Sequence, residues 1–414
     1  MKITTVDAIT NRRDILDDAT HDRATAIVND VRREGEVAVR RWARELDGLA
    51  DDAALVMERV ALEEAWSGLD APTRALLERT AGRIRDFATR QRACLVDFEH
   101  EAAGVVAGHE CVPVGRAGCY APGGRYPLPS SVLMTVVTAR AAGVREVIVA
   151  SPRPQPLTMA AAFVAGADCL VQVGGAQAIA AMAYGAGSIH RCDVIVGPGN
   201  RYVTAAKHVV SRDVGIDMLA GPSELVVVAD ETADAEFVAA DLLAQAEHDP
   251  DSLAVLLTTS REMAEAAQRA VARQLEDLPT ADIARQAIDN GGVVICESAS
   301  EVIALCDAIA PEHLALHVAD AASMRRRFAN FGAVFEGGGM AEVLGDYGVG
   351  PNHVLPTGGQ ARHTGGLSVF QFLRVRTRLA GTASAEVLDD VQRFAELEGL
   401  PGHARAASIR RSPS

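Results

Sequence analysis

At 414 residues the chain is too long for one ordinary hydrophobic core, so two or three domains are expected. Its formal net charge of −15 and 4% aromatic content describe an acidic, ring-poor surface that repels phosphate backbones, which argues against nucleic acid as a partner. No apolar run reaches the roughly 20 residues that cross a bilayer, and the start, Met1-Lys-Ile-Thr-Thr-Val-Asp7, turns polar at once, unlike a signal peptide.

Residues 1 to about 100 read as helical, with long, charged, periodic stretches over Arg23–Trp42 and Pro72–Gln91. Glu101–Pro113 is richer in Val and Gly and suggests a short hairpin. From Val144 apolar strands alternate with helices. The expected strands are Glu146–Ala150, Asp168–Val173 and Val194–Val196, with helices around Thr158–Ala165 and from Ala178. A second alternation places strands at Leu225–Ala229, Ala254–Thr258 and Gly292–Cys296, and helices over 235–247, 262–275 and 300–309. Continuous apolar strands between helices point to parallel sheets covered on both faces, hence two doubly wound domains with a cleft between them. The tail beyond about 368 reads as a charged, mostly helical appendage. The seven cysteines, at 94, 111, 119, 169, 192, 296 and 306, include no Cys-x-x-Cys, which fits buried free thiols in a reducing cytoplasm.

Asp241-Leu-Leu-Ala-Gln-Ala-Glu-His248 ends a helix and carries Gln245 and His248 one turn apart on one face. An amide oxygen and an imidazole nitrogen then point together, as two ligands of one metal ion do. Alone, the pair reads more readily as the solvated polar end of a helix. Glycine-rich turns at Ala121–Gly124, Gly174-Gly175, Gly197–Asn200 and Ala220–Ser223 follow strands, where open parallel sheets bind ligands. None matches G-x-G-x-x-G; each singly suits tight packing, and four together suit a nucleotide cleft. Glu312-His313 sets a carboxylate beside an imidazole, a pair suited to acid–base work if a loop enters a strand there, and a surface dipeptide otherwise. Gly345–His353 is a glycine-dense loop holding Asp346 and His353, either functional or a turn capped by Asp346. Glu398–His403 reads as a helix end with a Gly399 cap.

Together these segments resemble the histidinol dehydrogenase family. The matching runs are Val173–Ala180, Asp193–Asn200, Gly215–Glu224, Asp241–His248, Pro311–Leu314, Gly345–Pro356 and Glu398–His403, in the family's order and over most of the chain. The resemblance implies a zinc- and NAD-dependent homodimer that oxidises an amino alcohol, L-histidinol, through an aldehyde to a carboxylate. It implies Gln245, His248, Asp346 and His403 as zinc ligands, with His403 reaching over from the partner. Glu312 and His313 become the catalytic acid–base pair, and Tyr120, Gln177 and Asn200 the NAD contacts. Substrate contacts are Ser223, His353 and Glu398, together with Gln245, His248, His313, Asp346 and His403. The implied domains are an N-terminal segment 1–17; a larger α/β domain of 18–118 and 223–367; a Rossmann-like NAD domain, 119–222; and a helical tail, 368–414, crossing to the partner.

The first third departs from the usual histidinol branch. Phe87-Ala88-Thr-Arg-Gln91 stands where that branch has Phe-His-x-x-Gln, and Gly123-Gly-Arg-Tyr-Pro127 and Thr364–Leu367 look like the paralogous branch that includes sulfopropanediol dehydrogenase. Arg125 near a cleft would favour an anionic substrate such as dihydroxypropanesulfonate, oxidised to sulfolactate. A catalytically silent metal-binding homologue is the third alternative, weakened because every implied ligand and both acid–base residues are present.

Overall fold

Strands buried on both faces form two parallel sheets in the computed structural model, which describes residues 1–5, 9, 17–123 and 127–411. The first sheet holds Arg116–Tyr120 at its middle, flanked by Glu146–Ala150 and then Cys169–Val171 on one side and by Val194–Val196 and Gly215–Ile216 on the other. Val56–Glu58 adds antiparallel to the Cys169–Val171 edge. Helices Pro129–Ala142 and Pro156–Ala165 cover one face, backed by the N-terminal helices Arg59–Ser67 and Ala71–Ala93. Gly175–Tyr184 and Arg201–Val210 cover the other, backed by Asp18–Glu34.

The second sheet repeats this winding. Glu224–Ala229 lies in the middle, Leu253–Thr258 and Gly292–Ile295 to one side, His313–His317 and Ala333–Glu336 to the other, all parallel. In each sheet the chain leaves the middle strand one way and returns to its other side, which opens a crevice at the reversal. No helix among the described residues is long and apolar enough to cross a membrane.

Three expectations need correction. The stretch Arg23–Trp42 is two helices, Asp18–Glu34 and Glu36–Trp42, because Gly35 takes φ 58° and ψ −131°, outside the helical basin. The helix expected from Ala178 starts at Gly175. The tail is not purely helical: Leu373–Gly381 is a strand that pairs antiparallel with Val105–Pro113, which forms a hairpin with Phe98–Ala102. Its Arg374, Arg376 and Arg378 alternate with Val375, Thr377 and Leu379, a period of two. Of the cysteines, Cys94 is exposed and Cys169 half-buried; the other five are buried, and all seven are free.

Candidate active site

Residues far apart in sequence meet at the amino ends of the second sheet. Ser223 precedes the middle strand, and Glu312-His313 enters its neighbour, with His313 in register with Leu225. Helix Ala235–Ala246 crosses back between parallel strands, so its last turn delivers Gln245, and the chain just past its Glu247 cap delivers His248, to the same edge. The Ala220–Ser223 turn therefore enters a strand rather than closing one, contrary to the sequence expectation. Because Glu312 sits just outside the strand, it escapes the alternation that would turn it away from His313, and both are buried.

The Ser223 hydroxyl donates to Glu312 Oε2 at 2.5 Å, and the Glu224 N–H donates to the same oxygen at 3.0 Å. His313 Nδ1 lies 3.3 Å from Gln245 Oε1, 3.4 Å from Glu342 Oε1 and 3.9 Å from Glu312 Oε2. His248 Nε2 stands 3.4 Å from Asp346 Oδ2. Asp346 ends a short helical turn, Val343–Asp346, and its carbonyl oxygen lies 2.9 Å from His353 Nδ1. His353 Nε2 lies 3.3 Å from Ser131 Oγ, and Asn352 Nδ2 donates to Met134 O at 2.8 Å, so this loop straps the second sheet's edge to helix Pro129–Ala142 of the first unit.

The electrostatics describe a site short of positive charge. Burial pushes the Glu312 carboxyl up to about 8 against the two hydrogen bonds that favour its anion. Burial, joined by the charge of Asp346, also pushes Glu342 up to about 8. Its two oxygens are buried with no hydrogen-bond partner. Burial pushes His313 down to about 4, and lowers His353 as well. Contact with Asp346 raises His248 to about 9. Burial would raise Asp346, but its contact with His248 and the nearby His353 and His313 bring it below its usual range. Three clustered carboxyl groups, Glu312, Glu342 and Asp346, with one imidazolium, His248, to balance them are what a divalent metal site looks like without its ion.

His313, Glu342 and Asp346 present ligand atoms all within 4.8 Å of one another, a possible metal-binding group. This set shares only Asp346 with the four ligands expected from sequence. Gln245 and His248 stand beside it, since Gln245 Oε1 contacts His313 and His248 contacts Asp346. Glu398 and His403 do not join the cluster within the protomer. Glu398 closes helix Ala385–Leu397 and His403 lies on Pro401–Ser408, both exposed, and among the described residues no hydrogen bond or ion pair links either to the site.

The residues expected to hold a dinucleotide lie at the carboxyl ends of the first sheet. The Tyr120 hydroxyl, on the middle strand's last residue, accepts from Gly175 N–H at 3.1 Å. Gln177 is fully buried in the first turn of Gly175–Tyr184. Asn200 caps Arg201–Val210, accepting from Tyr202 and Val203 N–H. Tyr120 and Gly197 face each other at the reversal point; a Cβ on Gly197 would stand 2.0 Å from Tyr120 O. A cavity of about 200 Å³, lined by Gly123, Pro127, Ser151, Pro152, Arg153 and Thr158, adjoins this edge. Arg125 lies outside the described residues.

Sequence reasoning missed Glu342, although it sits four residues before Asp346, the spacing of one helical face. It also missed Asp47 beside Gln177, and the buried pair of Lys207 and Asp217, which no local pattern marks.

A sequence profile described as histidinol dehydrogenase matches residues 10–411. The chain is 48% identical over 388 residues to a histidinol dehydrogenase of Thermus thermophilus, covering 93% of each chain. It is 44% identical over 405 residues to one of Haloarcula marismortui, covering 96% of this chain and 95% of the other. A crystal structure of histidinol dehydrogenase from Elizabethkingia anophelis superposes with a TM-score of 0.92 at 32% identity, covering 99% of this chain and 96% of that one. The chain belongs to the histidinol dehydrogenase family, a family of oxidoreductases.

Proposed function

We propose that the protein catalyses the four-electron oxidation of L-histidinol, through the aldehyde, to L-histidine, using NAD and a zinc ion. The observation that carries this reading is the convergence of Glu312 and His313 with Gln245, His248 and Asp346 in one acidic pocket, in which Glu312, His313 and Gln245 are buried, Asp346 is half-buried and His248 is exposed. When bound, NAD supplies the hydride acceptor for both oxidations, and zinc supplies an anchor for the substrate's nitrogen atoms. Gln245, His248 and Asp346 would hold the metal, with His403 of a second protomer as the fourth ligand. A mixed nitrogen–oxygen set suits zinc.

His313 is neutral at physiological pH, so it is able to take the hydroxyl proton as the alcohol is oxidised. Glu312 is held by Ser223 and Glu224 with one oxygen committed. Its other oxygen activates the water that adds to the aldehyde. Tyr120, Gln177 and Asn200 bind the dinucleotide; His353, Glu398 and Ser223 complete the substrate pocket.

The homodimer is part of this proposal. It is supported by exposed apolar side chains along the tail: Phe394 and Leu397 on helix Ala385–Leu397, and Leu400 and Ile409 at the two ends of the His403 helix. A sulfonate substrate is not favoured. The relatives named above, which the chain matches over more than nine-tenths of their length, are histidinol dehydrogenases. A silent homologue is not favoured either, since both acid–base residues are buried in contact.

Stopped assays of NADH formed against histidinol consumed test the reading. Two NADH per histidinol are expected, with histidine as product. One NADH per substrate, or turnover of dihydroxypropanesulfonate and not histidinol, would overturn it.

A further inference from the structure

The first sheet's carboxyl edge contains a buried polar assembly built partly from the N-terminal helical segment. Asp47 ends the short π-helical turn Ala43–Asp47, which Gly48 closes with left-handed φ 69°. Its Oδ2 accepts two hydrogen bonds, from Gly174 N–H at 2.9 Å and from Gln177 Nε2 at 3.0 Å. A carboxylate only accepts, so the Gln177 amide is forced to turn its nitrogen to Asp47. The other end, Oε1, is buried with no partner. It stands 2.9 Å from where a Cβ on Gly175 would lie, and Gly175 takes φ 61°. On the other side of the turn, a Cβ on Gly174 would meet Pro152 at 2.7 Å. Gly174 is therefore required by Pro152 and Gly175 by its left-handed backbone, and Pro152 also lines the adjoining cavity. A fully buried acceptor without a donor is costly unless something else supplies the donor.

We propose that Asp47 is a positioning residue for the cofactor: it fixes the Gln177 amide so that Oε1 accepts a hydrogen bond from an N–H or O–H group of NAD. This rests on the dinucleotide reading above. Asp47 itself does not touch the cofactor. Arg153, whose charge acts on Asp47, is the nearest cation lining the cavity.

Direct titration of the full-length protein with NAD tests the idea apart from turnover. Asp47→Ala frees the amide and is expected to weaken NAD binding about tenfold, the scale of one hydrogen bond to a buried acceptor. In steady state the KM for NAD should rise while kcat at saturating NAD holds. Asp47→Asn keeps one oxygen for both donors and should bind like the parent protein. Gln177→Leu should weaken binding by itself, and Asp47→Ala added to it should weaken binding no further. Effects that simply add, or an Asp47→Ala protein that binds NAD normally, would overturn the proposal. Should Asp47→Ala fail to fold, normal NAD binding by Gln177→Leu overturns it equally. ADP-ribose and nicotinamide mononucleotide show which half carries the donor: weakening of either by Asp47→Ala upholds the proposal, and weakening of neither sinks it. Wild-type protein that binds no NAD would instead reject the dinucleotide reading, and this proposal with it.

Discussion

The Ser223 hydroxyl donates a 2.5 Å hydrogen bond to the Glu312 carboxylate, and of the contacts that favour the anion there it acts most strongly. Burial works the other way. If Glu312 activates water, it must be ionised when the aldehyde is hydrated. Ser223→Ala removes the donor and lets burial raise the carboxyl further. The acid limb of kcat is therefore expected to move to higher pH, with kcat at neutral pH down by about tenfold or more. A pH–rate profile with histidinol checks this. An acid limb that stays in place would show that Ser223 serves substrate binding alone.

The same burial makes a prediction for the protein freed of metal. Glu312 and Glu342 rise from 4.5 to about 8, so between these values the folded state binds more protons than the unfolded state. Stability then falls as pH rises through that window. His248, raised from 6.5 to about 9, has the same sign over its own range. His313, lowered to about 4, acts oppositely, and its contribution is lost as pH falls below 6.5. Chelator-treated protein should thus show a lower Tm at about pH 8 than at 6.5. Glu342→Gln should flatten that slope, because it removes one titration, and added zinc should flatten it by favouring the carboxylates. A metal-free Tm that holds steady or climbs over this range contradicts the account.

The parallel sheets were legible because their strands are short apolar runs between helices, and Val194–Val196 has the bounds read from sequence. The site was legible residue by residue only through its resemblance. Gln245 and His248 were expected on one helix face, and the helix in fact ends at Ala246, before His248; nothing local says that Glu312, 64 or more residues on, enters beside them, which follows from the register of His313 with Leu225. Glu342 escaped notice because a glutamate in a glycine-rich loop looks solvated until burial is known. The tail strand was missed because charge drew attention away from its two-residue alternation. Gly35 looked harmless in a periodic stretch, and only its backbone angles show the break.

His403 offers a test of the tail. Its helix, Pro401–Ser408, buries Ala404 and Ala407 and leaves His403 in solvent. Replacing it should hardly disturb the protomer's fold, since surface substitutions usually change stability by about 0.5 kcal/mol or less. If the partner's tail completes the metal site, His403→Ala should lose zinc and activity together while Tm of the chelated protein stays put. Metal analysis of the purified variant decides it. Full zinc occupancy would place the fourth ligand elsewhere, with Glu342 the first candidate because it belongs to the cluster and its buried oxygens have no hydrogen-bond partner.

Lys207 and Asp217 form an ion pair whose side chains are 2% and 0% exposed. Between them they hold both backbone groups of Gly197. Lys207 Nζ donates to Gly197 O at 2.9 Å, and Gly197 N–H donates to Asp217 Oδ2 at 2.7 Å. Gly197 needs such bracing, because its φ of 117° and its approach to Tyr120 O leave room for no side chain. Removing one partner strands the other charge in the core. Lys207→Met or Asp217→Asn alone is expected to cost about 3–5 kcal/mol, whereas the double substitution should cost less than the sum of the two, since no charge is then left unpaired. Urea unfolding of the four proteins measures the coupling. Because the pair also fixes the turn that leads to Asn200, variants that remain folded should bind NAD more weakly than wild type. Single substitutions costing less than about 1 kcal/mol would mean that water reaches the pair and that the turn holds its shape without it.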